Sequence, residues 1–315
     1  MRAYAIDEFG APGSVRELPL PEPAEGEVRI AVHAAGVNRM DPVYVSGMAK
    51  DWMEHRFPLV PGIDLAGVVD AVGPGVSGLS VGDEVYGVAA KPFVGAGTFA
   101  EFVVVNAGTV APKPRQLGFV EAASAPHAAL TALAAVEAID PHPGQTVVVI
   151  GAGGGVGSHA TQMVVARGAT VVAVVGPEGG DLARQLGAAE VLDYTSDDIE
   201  AAVTDAHPDG IDGLIVTHAD VDLIGALARH LRPGGVVASS AMGGQALADT
   251  MGELGVAFAP ANRLPPDRLT ELTALFDAGQ LRPVPITTYP LGDAGEAIAA
   301  VADGHTRSKR VIVIR

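Results

Sequence analysis

The segment Thr146–Ala173 constrains the fold more than any other part of the chain. Thr146–Ile150 is a short β-branched run, which is typical of a strand buried on both faces. The glycines of residues 151–157 allow a tight turn and a close approach of the backbone to a ligand. Ser158–Arg167 favours a helix, and Thr170–Val175 favours a second strand. This order predicts a dinucleotide-binding βαβ unit with a pyrophosphate at the start of its helix; the alternative is a purely structural glycine turn.

Strands and helices continue to alternate after this unit. The predicted strands are residues 146–150, 170–175, 190–193, 212–217, 235–239 and 255–259, and the predicted helices are residues 155–167, 180–187 and 220–231. Helix-separated strands of this kind predict an α/β domain with a doubly wound parallel Rossmann sheet.

The chain before residue 118 has a different pattern. Short strands punctuated by glycine and proline follow each other closely, which predicts a small β-barrel. We therefore expect a barrel domain of residues 1–117, completed by residues 263–315, and a nucleotide domain of residues 118–262. The cofactor would lie in the cleft between them. Residues 51–58, which contain the single Trp52, are expected to form a mobile loop or a short helix.

Composition excludes several classes of function. The 315 residues carry a net charge of −17, which disfavours nucleic-acid binding. The chain has no cysteine, so that disulfides, thiolate metal sites and a cysteine nucleophile are excluded. We found neither a signal-like apolar run at the N-terminus nor an apolar segment of membrane length. These observations predict a cytoplasmic protein with no membrane partner.

Seven short motifs, in order, carry a resemblance to a known family. They are GVNRMDP at 36–42, PGIDLAGVV at 61–69, VGDEVYG at 81–87, ALTALAA at 129–135, GAGGGVG at 151–157, LGAAEVLDY at 186–194 and LRPGGVV at 231–237. The whole chain thereby resembles the zinc-independent quinone oxidoreductase (zeta-crystallin-like) branch of the medium-chain dehydrogenase/reductase superfamily. The resemblance implies a GroES-like barrel domain beside the Rossmann domain, and a homodimer.

The resemblance also implies an activity. Members of this branch transfer hydride from NADPH to quinones or α,β-unsaturated carbonyl compounds. Asn38 stands in the region where metal-dependent alcohol dehydrogenases carry a cysteine, and Ile63 and Asp64 stand at their His-Glu pair. We therefore expect no metal, and another group must polarise the carbonyl oxygen of the acceptor.

Three residues are the candidates for catalysis. Asn38 aligns with a family position that contacts the nicotinamide, the ribose or the substrate. Tyr44 is one place later than the tyrosine of the family, because Val43 occupies the expected position; it is either a proton donor or a packing residue. Asp64 aligns with an acidic family position, where it would either orient its partners or cap a turn.

A larger set of residues is expected to bind the cofactor. These residues are Asn38, Thr131, Ala152, Gly154, Gly155, Val156, Gly157, Gly176, Arg184, Tyr194, Ser240 and Ala241. Gly176 ends the second nucleotide strand and leaves room for a 2′-phosphate, which Arg184 would have to reach from one helical turn further on. Glu178 and Asp181 are unfavourable neighbours of such a phosphate. The expected cofactor is NADPH, with NADH as the alternative.

Two other functions remain open at this point. The first is a tailoring or enoyl-thioester reductase of secondary metabolism, which would share the fold and the glycine turn. The second is a catalytically silent NADPH-binding protein, because Tyr44 is displaced and no lysine follows Gly176.

Overall fold

The computed structural model describes residues 1–218, 220–242, 244–261, 266–302 and 308–315. The chain divides into two compact units: unit 1 is Met1–His127 with Pro266–Arg315, and unit 2 is Ala128–Pro265. The first boundary is later than the predicted position 117, because the helix at Phe119–Ser124 packs on strands of unit 1. The other predicted boundary, between 262 and 263, lies outside the described residues.

The strands and helices of the described residues are numbered in chain order. The strands are β1 Arg2–Ala5, β2 Ser14–Glu17, β3 Glu27–Val37, β4 Glu54–Val60, β5 Asp64–Val72, β6 Glu84–Val88, β7 Phe93–Ala96, β8 Phe102–Asn106, β9 Val110–Pro112, β10 Thr146–Ile150, β11 Thr170–Val175, β12 Glu190–Asp193, β13 Ile211–Val216, β14 Leu231–Ser239, β15 Ala257–Pro260, β16 Ile286–Pro290 and β17 Lys309–Val313. The helices are α1 Met40–Ser46, α2 Phe119–Ser124, α3 Pro126–Ile139, α4 Gly155–Ala166, α5 Gly180–Gln185, α6 Ile199–Ala206, α7 Val221–Ala228, α8 Gly244–Leu254, α9 Leu269–Asp277 and α10 Ala294–Ala302.

Unit 2 contains a parallel sheet in the order β12-β11-β10-β13-β14-β15. Each neighbouring pair of strands is parallel, which confirms the predicted doubly wound sheet. The central strand β10 is buried throughout, as its β-branched sequence predicts. The order in which strands are added to the sheet reverses between β10 and β13, and ligands of such sheets bind at this point. Helices α6 and α8 were not expected from the sequence.

Unit 1 is rich in antiparallel strands. Its main sheet runs β16-β17-β3-β5-β6-β9, and β8 pairs with β3. The long strand β3 alternates buried and half-buried residues, because one face covers a core of aliphatic side chains. Strand β17, from the end of the chain, pairs with the last residues of β3. This pairing brings the C-terminal segment next to the residues that follow β3.

The expectation of a loop or short helix at residues 51–58 was wrong in part. Most of this segment is strand β4, which pairs in parallel with β7 through Glu54–Phe93 and His55–Val94. Pairing with a distant strand is a tertiary effect, which local sequence does not reveal. None of the described helices is both long enough and apolar enough to cross a membrane.

Candidate active site

The glycine turn of unit 2 joins β10 to α4. Gly151 has a φ of 80°, in the left-handed region that favours glycine. The N–H groups of Gly151 and Ala152 both donate to the carbonyl of Val174, at 2.9 and 3.1 Å. These bonds tie the turn to the neighbouring strand β11, so that the helix starts at a fixed place above the sheet edge.

Two glycines of the turn are required by close packing. A Cβ on Gly157 would lie 2.3 Å from the carbonyl oxygen of Gly151 and 2.7 Å from the Cα of Ala152. A Cβ on Gly151 would lie 2.2 Å from Thr217 Oγ1, which itself donates to the Ile150 carbonyl at 3.0 Å. Helix α4 therefore begins in direct backbone contact with the turn.

The start of α4 is a suitable site for an anion. The helix has 12 residues, and no side chain caps its N-terminus at Gly154. The N–H groups of Gly155, Val156 and Gly157 have no acceptor within the helix, because the first turn of a helix lacks partners. Together with the helix dipole, these donors favour a phosphate group. Gly153 and Gly154, just before the helix, carry no side chain that would cover these donors, so the residues fit the predicted cofactor.

A pocket of about 310 Å³ lies beyond the end of β11. Its lining comprises Val175, Gly176, Pro177, Glu178, Gly180, Asp181, Arg184, Val191, Asp193 and Asp197. Gly176 and Arg184 thus share one pocket. Tyr194 lies beside it, because a Cβ on Gly176 would approach the Tyr194 hydroxyl at 2.9 Å.

The charge of this pocket is mainly negative. Four of its lining residues are carboxylates and one is a cation, Arg184. The Arg184 guanidinium lies 3.3 Å from Asp181 Oδ1. Both side chains are largely exposed, so that solvent screens the pair and the guanidinium is able to turn to another anion.

The other predicted cofactor residues of unit 2 lie on two elements. Thr131 is buried in α3. Ser240 and Ala241 follow β14, but their N–H groups are already engaged: Ser240 donates to the Val216 carbonyl at 2.9 Å, and Ala241 to Ser239 Oγ at 3.2 Å. A contact of these two N–H groups with a carboxamide would require these bonds to be exchanged. Their role stays a prediction.

A buried cluster of polar side chains lies in unit 1. Asn38, just after β3, donates from Nδ2 to Asp64 Oδ2 at 2.9 Å. The ammonium of Lys309, at the start of β17, donates to Asn38 Oδ1 at 2.7 Å and to the Val37 carbonyl at 3.1 Å. It also lies 3.8 Å from Asp64 Oδ2. The sequence predicted Asn38 and Asp64, and the structure brings them together with a lysine.

Asp41 completes the cluster from the first turn of α1. Its Oδ2 accepts from the N–H of Asn38 at 2.7 Å, and its Oδ1 accepts from the N–H of Gly62 at 3.0 Å. These bonds hold the residues before β5 against the start of α1. Asp64 is likewise tied to α3, because its Oδ1 accepts from the N–H of His127 at 2.8 Å.

Burial dominates the electrostatics of this cluster. It raises the pKa of Asp41 to about 7 and that of Asp64 to about 6, because a carboxylate loses its hydration there. Lys309 and Asn38 oppose the shift at Asp64 by stabilising its charge. Burial also lowers the pKa of Lys309, and it lowers the pKa of His127 to about 4. His127 is therefore neutral at pH 7.

Tyr44 lies on α1, and its side chain is not part of the hydrogen bonds described above for the buried polar cluster. Its ring packs edge-on to His55, with the centroids 6.3 Å apart, and against the apolar cluster of Ile6, Leu59 and Val94. Burial raises the pKa of its hydroxyl. The ring has a clear packing role, and its part in catalysis stays a prediction.

Sequence reasoning missed Lys309 and Asp41. Lys309 begins the observed strand β17 and shares its buried face with Val311, two residues later. A lysine on the buried face of a strand needs an anionic or carbonyl partner. Asp41 lies in α1, a helix that was not among those predicted from the sequence.

The chain matches two family models over parts of its length and is similar to known proteins over nearly all of it. Residues 24–115 match the family model "Alcohol dehydrogenase GroES-like domain", and residues 186–312 match "Zinc-binding dehydrogenase". The chain is 33% identical over 360 residues to "NAD(P)H oxidoreductase RTN4IP1, mitochondrial" of Mus musculus, covering 99% of this chain and 89% of that protein.

Two further similarities concern a polyketide synthase and a solved structure. The chain is 34% identical over 320 residues to "Spectinabilin polyketide synthase system protein NorB" of Streptomyces orinoci, covering 96% of this chain and 14% of that protein. It superimposes on the quinone oxidoreductase from Coxiella burnetii with a TM-score of 0.88 at 27% identity, covering 100% of this chain and 99% of that one.

The chain belongs to the medium-chain dehydrogenase/reductase superfamily. This confirms the resemblance that the seven motifs carried, and with it the GroES-like domain and the Rossmann domain. By this membership the chain is an oxidoreductase with a nicotinamide cofactor.

The name of the second family model raises the question of zinc. Asn38 and Asp64 stand where the resemblance places the metal ligands of metal-dependent alcohol dehydrogenases. The ammonium of Lys309 lies within hydrogen-bond distance of Asn38 and within ion-pair distance of Asp64. An amide, a carboxylate and an ammonium do not fit the thiolate and imidazole ligands that zinc prefers. Within the described ranges, no group of three or more His, Asp or Glu side chains is placed to hold a metal ion. The mechanism below contains no step through a metal.

Proposed function

We propose that this protein is an NADPH-dependent reductase that transfers hydride to a quinone or an α,β-unsaturated carbonyl compound. The observation that carries this proposal is the glycine turn before α4, where Gly151 and Gly157 allow the helix to start in contact with the turn and no side chain caps its first N–H groups. The similarity to a quinone oxidoreductase and to an NAD(P)H oxidoreductase supports the class of acceptor.

The pocket beyond β11 supports NADPH over NADH, although not by a large margin. NAD-preferring sites carry an acidic residue at the end of the second strand, and here that position is Gly176. Arg184 lines the same pocket and is able to pair with a 2′-phosphate. Glu178 and Asp181 work against this phosphate, which is why NADH is the second choice.

The residues of this chain have distinct tasks in the proposed mechanism. The reduced nicotinamide, when bound, supplies the hydride. The glycine turn holds and orients the dinucleotide, and much of the rate comes from this positioning. Addition of hydride to the β-carbon of the acceptor places negative charge on its carbonyl oxygen, which an N–H of Asn38 or the hydroxyl of Tyr44 stabilises. Solvent then supplies the proton to the acceptor.

A specific observation favours a second candidate function. The chain is similar to one segment, 14% of the length, of a polyketide synthase system protein. The second candidate is therefore an enoyl-thioester reductase of secondary metabolism, acting on the same conjugated carbonyl chemistry. It needs the same hydride donor and the same stabilisation of the oxygen.

One panel of acceptors tests these alternatives. NADPH and NADH oxidation is followed by absorbance with quinones, with free enones and with α,β-unsaturated acyl thioesters, after calorimetry has given the dissociation constant of each cofactor. Turnover of quinones or enones supports the first proposal, and turnover of thioesters alone supports the second. Tight cofactor binding without oxidation across the panel would leave a catalytically silent NADPH-binding protein.

The proposal extends to partners and compartment. We propose a cytoplasmic homodimer that binds a small-molecule substrate and neither nucleic acid nor membrane. The net charge of −17 supports the exclusion of nucleic acid, because the phosphate backbone would be repelled. Sedimentation velocity tests the dimer, and fractionation of cells tests the compartment, since the mouse relative is named as mitochondrial.

A further inference from the structure

Lys309 is a buried cation whose role the proposed mechanism leaves open. Its side chain is 8% exposed, and its ammonium donates to the Val37 carbonyl and to Asn38 Oδ1 and forms an ion pair with Asp64 at 3.8 Å. Burying an ammonium is unfavourable unless each hydrogen finds a partner. The ammonium of Lys309 is therefore stabilised by Asn38 and Asp64, the two side chains that form the candidate site of unit 1.

The position of Lys309 determines the orientation of the Asn38 amide. The amide oxygen faces a group that only donates, and the amide nitrogen faces a carboxylate that only accepts. Rotation of the amide by half a turn would set NH₂ against ammonium and oxygen against carboxylate. Both hydrogen bonds to charged groups would then be lost and replaced by repulsion.

In this orientation one N–H of Asn38 makes a much longer hydrogen bond than the other. The first N–H donates to Asp64 Oδ2 at 2.9 Å, whereas the second is directed to the Gly36 carbonyl at 3.5 Å. The second distance is long for an N–H···O bond. A carbonyl oxygen of an acceptor would be a better partner for this hydrogen.

We propose that Lys309 is a positioning residue of the reductase, which locks the Asn38 amide so that its second N–H is presented to the carbonyl oxygen of the acceptor. The inference rests on the proposed function, because it assigns a task within that reaction. Lys309 itself does not touch the acceptor. It acts through Asn38, and Asp64 completes the lock from the opposite side of the amide.

A double-mutant cycle on turnover tests this role. Lys309→Met should lower kcat by about tenfold or more, since a charge-assisted hydrogen bond no longer orients the donor. The dissociation constant of NADPH should stay unchanged. In the background of Asn38→Ala, the further change K309M should leave kcat where N38A has set it, because Lys309 acts through Asn38. An equal loss in both backgrounds would overturn the proposal.

A second readout needs no substrate. In ¹⁵N–¹H spectra of the cofactor-free protein, the side-chain NH₂ of Asn38, assigned with N38A, should exchange slowly in the wild type and faster in K309M. An unchanged exchange rate in K309M would contradict the proposal that Lys309 orients the Asn38 amide. Since this comparison involves no turnover, failure of the proposed reductase activity and failure of the Lys309 proposal give different results.

Two further variants complete the design. Lys91→Met is the matched control, because Lys91 is a partly buried lysine of unit 1 that pairs with Glu27 outside the cluster; kcat and the Asn38 resonances should not change. Should K309M fail to fold, K309M/D64N removes both charges of the pair and keeps an acceptor for Asn38. Its Asn38 NH₂ should also exchange faster, and slow exchange there would again overturn the proposal.

Discussion

Gly157 tests how closely helix α4 must approach the glycine turn. The perturbation is Gly157→Ala, which adds a single methyl group. That group would lie 2.3 Å from the Gly151 carbonyl oxygen and 2.7 Å from the Cα of Ala152. Both neighbours are backbone atoms of a turn tied to β11, so neither is able to rotate away.

The geometry gives the size of the effect. To restore an ordinary contact, the start of the helix must withdraw by about 1 Å. Overpacking of this kind lowers the free energy of unfolding by about 1–3 kcal/mol. The same withdrawal lengthens the hydrogen bonds from the helix N–H groups to a phosphate beyond their useful range. Loss of one such bond weakens cofactor binding by about tenfold.

Calorimetry with NADPH and NADH, together with urea unfolding of the free protein, measures both effects. Gly252→Ala is the matched control, since Gly252 lies in α8 of the same unit and its Cβ would meet nothing within 4 Å. This control should bind the cofactor normally and gain about 1 kcal/mol from helix propensity. A G157A protein with wild-type affinity and a wild-type unfolding midpoint would refute the reasoning.

Three other changes probe separate parts of the site. Arg184→Ala should weaken NADPH binding by about fivefold and leave NADH binding unchanged, because an exposed ion pair with a phosphate contributes about 1 kcal/mol. The control is Arg229→Ala, since Arg229 is also exposed. Equal losses of affinity for both cofactors would argue against a 2′-phosphate at Arg184. Tyr44→Phe should leave kcat unchanged if Asn38 is the donor, whereas a tenfold loss at unchanged NADPH affinity would make Tyr44 the donor. His127 is held neutral with a pKa of about 4, so its contribution is complete above pH 6.5 and is lost as pH falls towards 4. The stability difference between wild type and His127→Gln, from urea unfolding, should therefore shrink over this window by up to about 3 kcal/mol, and a constant difference would contradict this prediction.

Much of the nucleotide unit was predictable from the sequence. Strands β10, β11 and β12 lie at the predicted residues. The signal is clearest for β10 and β11, because their apolar runs are short, β-branched and followed by glycine. The glycine turn was predictable for the same reason, since only glycine permits both the φ of Gly151 and the contact at Gly157. These are local requirements, and local requirements leave a direct mark on the sequence.

Strand β4 and helix α2 show where local reasoning fails. Residues 54–60 form a strand because they pair with β7. Helix α2 belongs to unit 1 because it packs against β3 and β5. Neither partner is visible from the segment itself. The same holds for the pocket that brings Gly176 and Arg184 together, which depends on how α5 packs beside β11 and β12.

The sequence by itself predicted two units, the glycine turn of the nucleotide unit, and Asn38 and Asp64 as candidate site residues. Only the tertiary structure decided what those two side chains do. Lys309 lies 271 residues after Asn38 and meets it because β17 pairs antiparallel with β3. The physical reason is that a buried charge is specified by its partners and not by its neighbours in the chain, so the lysine that orients the amide became visible only once the strands were paired.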